Sequence, residues 1–183
     1  MKHNSVRDLL ERFASEAGHT IQHEPREYQA YRCRACGAVM SQAALRTHGC
    51  PGQADRTGVD FRTFWPEGSA VYDVTVLQPL APSYRGSRPD TLAAAVDRHK
   101  HTIYDDQCAS NSEQLEVLCV RAAGGLCDNT RAFIQRCAND RALDYPHLVY
   151  KEEVRRMCVE LSIQLQRFNG ECVATGIARH RLD

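Results

Sequence analysis

The chain has 183 residues and a mass of 20.6 kDa, with 43% hydrophobic and 25% charged residues and equal numbers of basic and acidic groups, 23 of each. That length suits one domain of ordinary size, or one domain with a small module inserted, and the composition excludes a disordered or collagen-like chain. Zero net charge argues against a bulk electrostatic nucleic-acid binder but leaves room for a local basic groove.

Residues 4–17 have apolar positions at Val6, Leu9, Leu10, Phe13 and Ala17 and a stop at Gly18, which predicts an amphipathic helix. A short strand is expected at 19–23. The runs 59–65 and 70–77, separated by Pro66-Glu67-Gly68-Ser69, predict an antiparallel hairpin. A proline-rich loop follows at 78–90, then a helix to about 105, a core strand over 115–121 closed by Gly124-Gly125, and helices over about 128–141 and 147–168. This order implies a mixed sheet flanked by helices. No apolar run approaches the roughly 20 residues of a membrane span, and the charged N-terminal stretch does not read as a secretion signal, so an intracellular protein without a membrane partner is expected.

Nine cysteines fall into two classes. Six are scattered, several in apolar stretches, and read as small hydrophobes. Cys33, Cys36 and Cys50 crowd together with His48, in the order Cys-x-x-Cys, eleven residues, His-x-Cys. Two thiolates across a two-residue knuckle suit one tetrahedral ion, and with no acid in the segment to act as a base, the expected role is a structural zinc site. The short His-x-Cys step leaves His23 as an alternative fourth ligand.

Asp60 opens the first strand of the hairpin, and Asp73 sits in the middle of the second, within apolar neighbours. A carboxylate there is costly unless it is paired. Two acids brought together by a hairpin form a seat for a hard divalent cation, Mg2+ or Mn2+, with the Val74 carbonyl as a further ligand. Lys100 is the only lysine between residues 3 and 150, on the helix that follows, with Tyr104 one turn on. The bland alternatives are a turn role for Asp60, an Asp73–Arg62 ion pair and a solvated Lys100.

The string GVDFRTFWPEGSAVYDVTVLQPLAPSYRG, with AAAVDRHKHTIYDD after it, resembles the restriction-like endonuclease domain at the C-terminus of site-specific non-LTR retrotransposon polyproteins, trypanosomatid ones included. The opening KHNSVRDLL and the tail LQRFNGECVATG extend the resemblance over nearly the whole chain. Those domains belong to the PD-(D/E)xK nuclease superfamily. The resemblance implies a nuclease-like mixed sheet with an inserted CCHC-type zinc finger at 31–52, after an N-terminal core helix within 1–30. The nuclease core would span 53–126, with C-terminal helices over 127–183. It further implies a nuclear, metal-dependent DNA endonuclease that nicks double-stranded target DNA to prime an adjacent reverse transcriptase domain. Asp60, Asp73, Lys100 and Tyr104 would be catalytic, and Arg32, Arg34, Arg46, Arg85, Arg88 and Arg98 would contact DNA. Asp8 or Glu11 on the first helix would complete the site. Two positions depart from the pattern: Val59 stands where the first motif has proline, and Thr75 where the superfamily has lysine. Two further readings are a DNA-binding module of the same fold that does not cut, and a zinc-stapled scaffold that binds another helix through 147–168.

Overall fold

The computed structural model describes residues 2–40, 42–50, 53–66, 68–77 and 89–180. Helix α1 (Lys2–Glu16) ends as its periodicity predicts. Gly18 takes a left-handed φ of 80°, the backbone conformation that selects glycine just past a helix end.

Strands β1 (Thr20–His23), β5 (Phe61–Trp65), β6 (Gly68–Leu77) and β7 (Gln114–Arg121) form a four-stranded sheet in the order β1-β5-β6-β7. The first three are antiparallel; β6 and β7 are parallel, joined through helix α3 (Pro89–Ser110). A parallel pair needs such a crossover. The sheet is mixed and flanked by helices, as expected.

Alternation along the strands divides the apolar side chains between two cores. Ala70, Tyr72 and Val74 of β6 join Phe61, Leu118 and Val120 beneath α1, α4 (Asp128–Asp144) and α5 (Tyr150–His180). Val71 and Leu77 face the other way with Val117, Cys119, Leu92 and Tyr104, under α3. Asp73 lies in this second register, which points it at α3.

A second sheet, in the order β3-β2-β4, is built from β2 (Ala30–Cys33), β3 (Val39–Met40) and β4 (Ala54–Thr57), with a short helix α2 (Gln42–Thr47) between the last two. It follows the turn η1 (Arg26–Tyr28). The small sheet therefore runs past the expected finger boundary, because β4 pairs with β2 rather than with the main sheet.

Several element ends differ from expectation. The hairpin turn is shorter, since Trp65 already pairs with Gly68. Helix α3 extends to Ser110. Helix α5 begins at Tyr150, beyond the turn that follows Pro146, and runs to His180. Its 147–168 stripe is core: Met157, Leu161 and Leu165 are buried against α1 and α4, so that stripe does not serve the scaffold reading. No helix among the described residues is long and apolar enough to cross a membrane.

Candidate functional site

The Cys/His cluster is built locally. Cys33 ends β2, and the chain reverses through Gly37, whose φ is 74° and whose N–H donates to the Cys33 carbonyl at 2.8 Å. The Cys33 N–H donates to the Ala38 carbonyl at 2.9 Å. This knuckle delivers Cys33 and Cys36, while α2 ends just before His48 and Cys50. The ligand atoms of all four residues lie within 4.8 Å of one another, with Cys36 Sγ 3.3 Å from His48 Nε2. Zinc bound tetrahedrally at ~2.3 Å would bring its ligand atoms to about 3.8 Å apart, so a small contraction suffices. The backbone N–H of Cys36 lowers the Cys33 thiol to about 6, whereas the neighbouring Cys36 sulfur raises Cys50. Three sulfurs and an imidazole could hold a zinc ion with no position left for substrate. His23 is not part of the cluster: its Nδ1 lies 2.8 Å from Glu11 Oε1 on α1.

The acidic site is built across the main sheet. The N–H of Asp60 donates to the Tyr72 carbonyl at 2.9 Å, although it is Phe61 that faces Tyr72 in the register. Asp60 and Phe61 thus lie against one residue of β6, a bulge at the start of β5. The bulge turns the Asp60 carboxylate onto the backbone of β6, where Oδ2 accepts the Val74 N–H at 2.6 Å. A strand residue's N–H and C=O point along the same edge, so the Val74 carbonyl shares this edge with Asp60.

Asp73 is 1% exposed, and its Oδ1 accepts a hydrogen bond from Lys100 Nζ at 2.7 Å. The Thr75 hydroxyl donates to Oδ2 at 3.3 Å. Lys100 also lies over the Tyr104 ring, 5.9 Å from its centroid. Burial pulls the Lys100 pKa down, but the Asp73 charge and hydrogen bond, with a smaller contribution from Asp60, hold it above the ordinary lysine value. Burial raises the Tyr104 phenol as well; its hydroxyl lies beside Thr57 and makes no well-formed hydrogen bond among the described residues. Asp60, Asp73, Lys100 and Tyr104 therefore converge, and both carboxylates act on the same ammonium. Arg62 is engaged elsewhere, with Glu27 and Glu113, so the Asp73–Arg62 alternative is not the arrangement found.

Beside Asp60 a cleft of about 330 Å3 is lined by Asn4, Arg7, Glu24, Gln29 and Gly58. Glu24 has a left-handed φ of 41°, and its N–H donates to the Asp60 carbonyl at 2.8 Å. Arg7, nearly buried, bonds Glu24 at 3.1 Å and Asp8 at 3.0 Å. Asp8 and Glu11 are thus committed to Arg7 and His23 in this arrangement. Sequence reasoning did not find Glu24, Arg7 or the Thr75–Asp73 bond. Only the polar character of Thr75 inside a strand signalled the last.

The arginines divide. Arg32, Arg46 and Arg98 are exposed. Arg34 is exposed but bonded to Asp55 at 2.5 and 2.8 Å. Arg85 and Arg88 lie outside the described residues. No protein-family profile and no curated protein matches this chain.

Proposed function

We propose that this chain is a Mg2+- or Mn2+-dependent DNA endonuclease domain of the PD-(D/E)xK type, with Asp60, Asp73 and the Val74 carbonyl as metal ligands. The observation that carries this reading is the convergence of two buried carboxylates on one partly buried ammonium, Lys100 on Asp73 at 2.7 Å with the Asp60 carboxylate on the next residue's N–H. These are hard oxygen donors of the kind such cations take. A divalent ion held there would polarise a phosphodiester and lower the pKa of a bound water. Lys100 stays protonated, so it donates: it orients water or steadies the charge developing on phosphorus, and it does not take up a proton. Tyr104 keeps the lysine stem dry and faces its charge. The Cys33, Cys36, His48 and Cys50 cluster braces the neighbouring sheet as a zinc finger. Arg32, Arg46 and Arg98 supply exposed contacts for DNA phosphates, with Arg34 shared with Asp55. In the resembling polyproteins this nicking primes an adjacent reverse transcriptase, in the nucleus, and we propose the same setting here.

A supercoiled plasmid incubated with Mg2+ or Mn2+ tests the reading. Nicking is expected, lost with EDTA and lost in Asp73→Ala with zinc content and helicity retained. Nicking unchanged in that variant overturns the assignment. One observation favours a second reading, a module that binds DNA without cutting: both Asp73 oxygens are engaged by Lys100 and Thr75, and the group is almost wholly buried. DNA retardation without nicking in either metal would select it.

A further inference from the structure

Two of the scattered cysteines meet in space. Beyond Gly124 the chain turns back along β7, with Val120 bridged to Leu126 in antiparallel register. Cys119 and Cys127 are the next pair outward, and the Cys127 N–H donates to the Cys119 carbonyl at 3.2 Å. Residues opposed in this way have Cα atoms about 5.5 Å apart and side chains on one face, within the span a disulfide bridges. Both cysteines line one cleft of about 430 Å3, with Asp97, Asn129 and Arg131.

The described cysteines are all thiols, and we propose that Cys119 and Cys127 are a redox pair that closes to a disulfide by exchange with a low-molecular-weight disulfide. The two partners are unequal. Cys127 is partly exposed at the start of α4, whereas Cys119 is 2% exposed and burial pushes its thiol up to about 12. Cys127 therefore reacts first. Its sulfur, having lost its proton, attacks one sulfur of RSSR, forming Cys127–S–S–R and expelling RS−, which takes up that proton. Cys119 then loses its proton and attacks the Cys127 sulfur, and the second RS− leaves and is protonated. The pair is oxidised by two electrons, and RSSR is reduced to two RSH. The thiolate fraction of Cys119 limits closure, so its rate rises about tenfold per pH unit near neutrality.

The pair borders the acidic site. Cys119 faces Thr75 across the parallel β6–β7 register, and Thr75 holds Asp73. The inference stands without the nuclease reading, because its test measures no cutting.

The test uses the zinc-loaded full chain and oxidised glutathione, followed by alkylation of remaining thiols and peptide mapping by mass. Trypsin isolates Cys127 in residues 122–131, and cleavage after Glu113 and Glu116 separates Cys119 from Cys108. The expected result is a glutathionyl adduct on Cys127 that gives way to a Cys119–Cys127 link, faster at higher pH and reversed by reductant. The link should persist in Cys108→Ser. A Cys127 adduct that never closes, or a Cys127 link to any cysteine other than Cys119, overturns the proposal.

Discussion

A buried carboxylate in the middle of a strand must have a partner, and for Asp73 that partner is Lys100. Removing the lysine leaves a carboxylate at 1% exposure without its cation. Because the lysine side chain is 20% exposed, the cost lies below that of a fully buried pair, about 2 kcal/mol in urea denaturation of Lys100→Met. The pH dependence follows from the direction of the shift. A lysine whose folded pKa is raised contributes its full stability below the unfolded value of 10.5 and loses it as pH rises through the folded value. The wild-type advantage over Lys100→Met should thus be constant through neutral pH and shrink in strong alkali. An advantage that grew with alkali would contradict the pairing. The spacing of Asp60, Asp73, Lys100 and Tyr104 was legible in the chain. The roles of Thr75 and Glu24 were not, because a hydroxyl bonded to a carboxylate and a left-handed backbone at glutamate leave no periodic signal.

Among the elements, the small sheet β3-β2-β4 is the one that carries the candidate zinc ligands Cys33, Cys36, His48 and Cys50 in its strands and connections. It has few buried apolar side chains, Ala30 and Cys33 within β2, and it is short in every strand. With zinc on the four ligands, such a segment would draw much of its folding energy from the ion. The protein as isolated should carry one zinc per chain by metal analysis. Chelation, or Cys36→Ser, should abolish amide protection over 30–57 while α4 and α5 keep theirs, since these pack on α1 and the main sheet. Loss of protection across α4 and α5 as well would show that the ion stabilises more than its own module. The ligand set was readable because a knuckle and a following short helix are local structures. The antiparallel hairpin was readable for the same reason, whereas α3 runs several residues past its expected end to a left-handed turn at Ser112, whose φ is 57° and where the Glu113 N–H donates to the Cys108 carbonyl at 2.9 Å, and a left-handed backbone at serine leaves no periodic signal.

At the scale of the whole molecule, one side chain ties the small sheet's approach to the main sheet. Glu113, 5% exposed in its side chain, accepts hydrogen bonds from the Tyr28 hydroxyl, from Arg62 Nη2 at 2.8 Å and from Ser69 at 2.7 Å. Asn111 donates to the Tyr28 oxygen at 2.9 Å, and Arg62 lies over the Tyr28 ring at 5.2 Å. Glu113→Ala removes the acceptor common to three donors and leaves Arg62 partly buried with Glu27 alone as its acid. The expected loss is about 3 kcal/mol in chemical denaturation. A loss below 1 kcal/mol would mean that water replaces these bonds without cost. The ion-pair network of Arg12, Glu16, Arg141, Glu153, Arg156 and Glu160 links α1, α4 and α5 on the opposite face. It is more exposed and worth less per pair.

The chain by itself determined what neighbouring residues can enforce: the knuckle and its ligands, the hairpin with its two acids, and the amphipathic helices that cover a sheet. Only the tertiary structure decided that Asp73 meets Lys100, that a bulge turns Asp60 onto the Val74 backbone, and that Cys119 faces Cys127. The first of these pairings depends on a crossover helix laying one face against a particular strand, the second on a register shift between strands, the third on where the chain turns back beyond β7. Those placements are fixed by the packing of two apolar cores and by backbone hydrogen bonds between strands, and residue spacing along the chain carries neither.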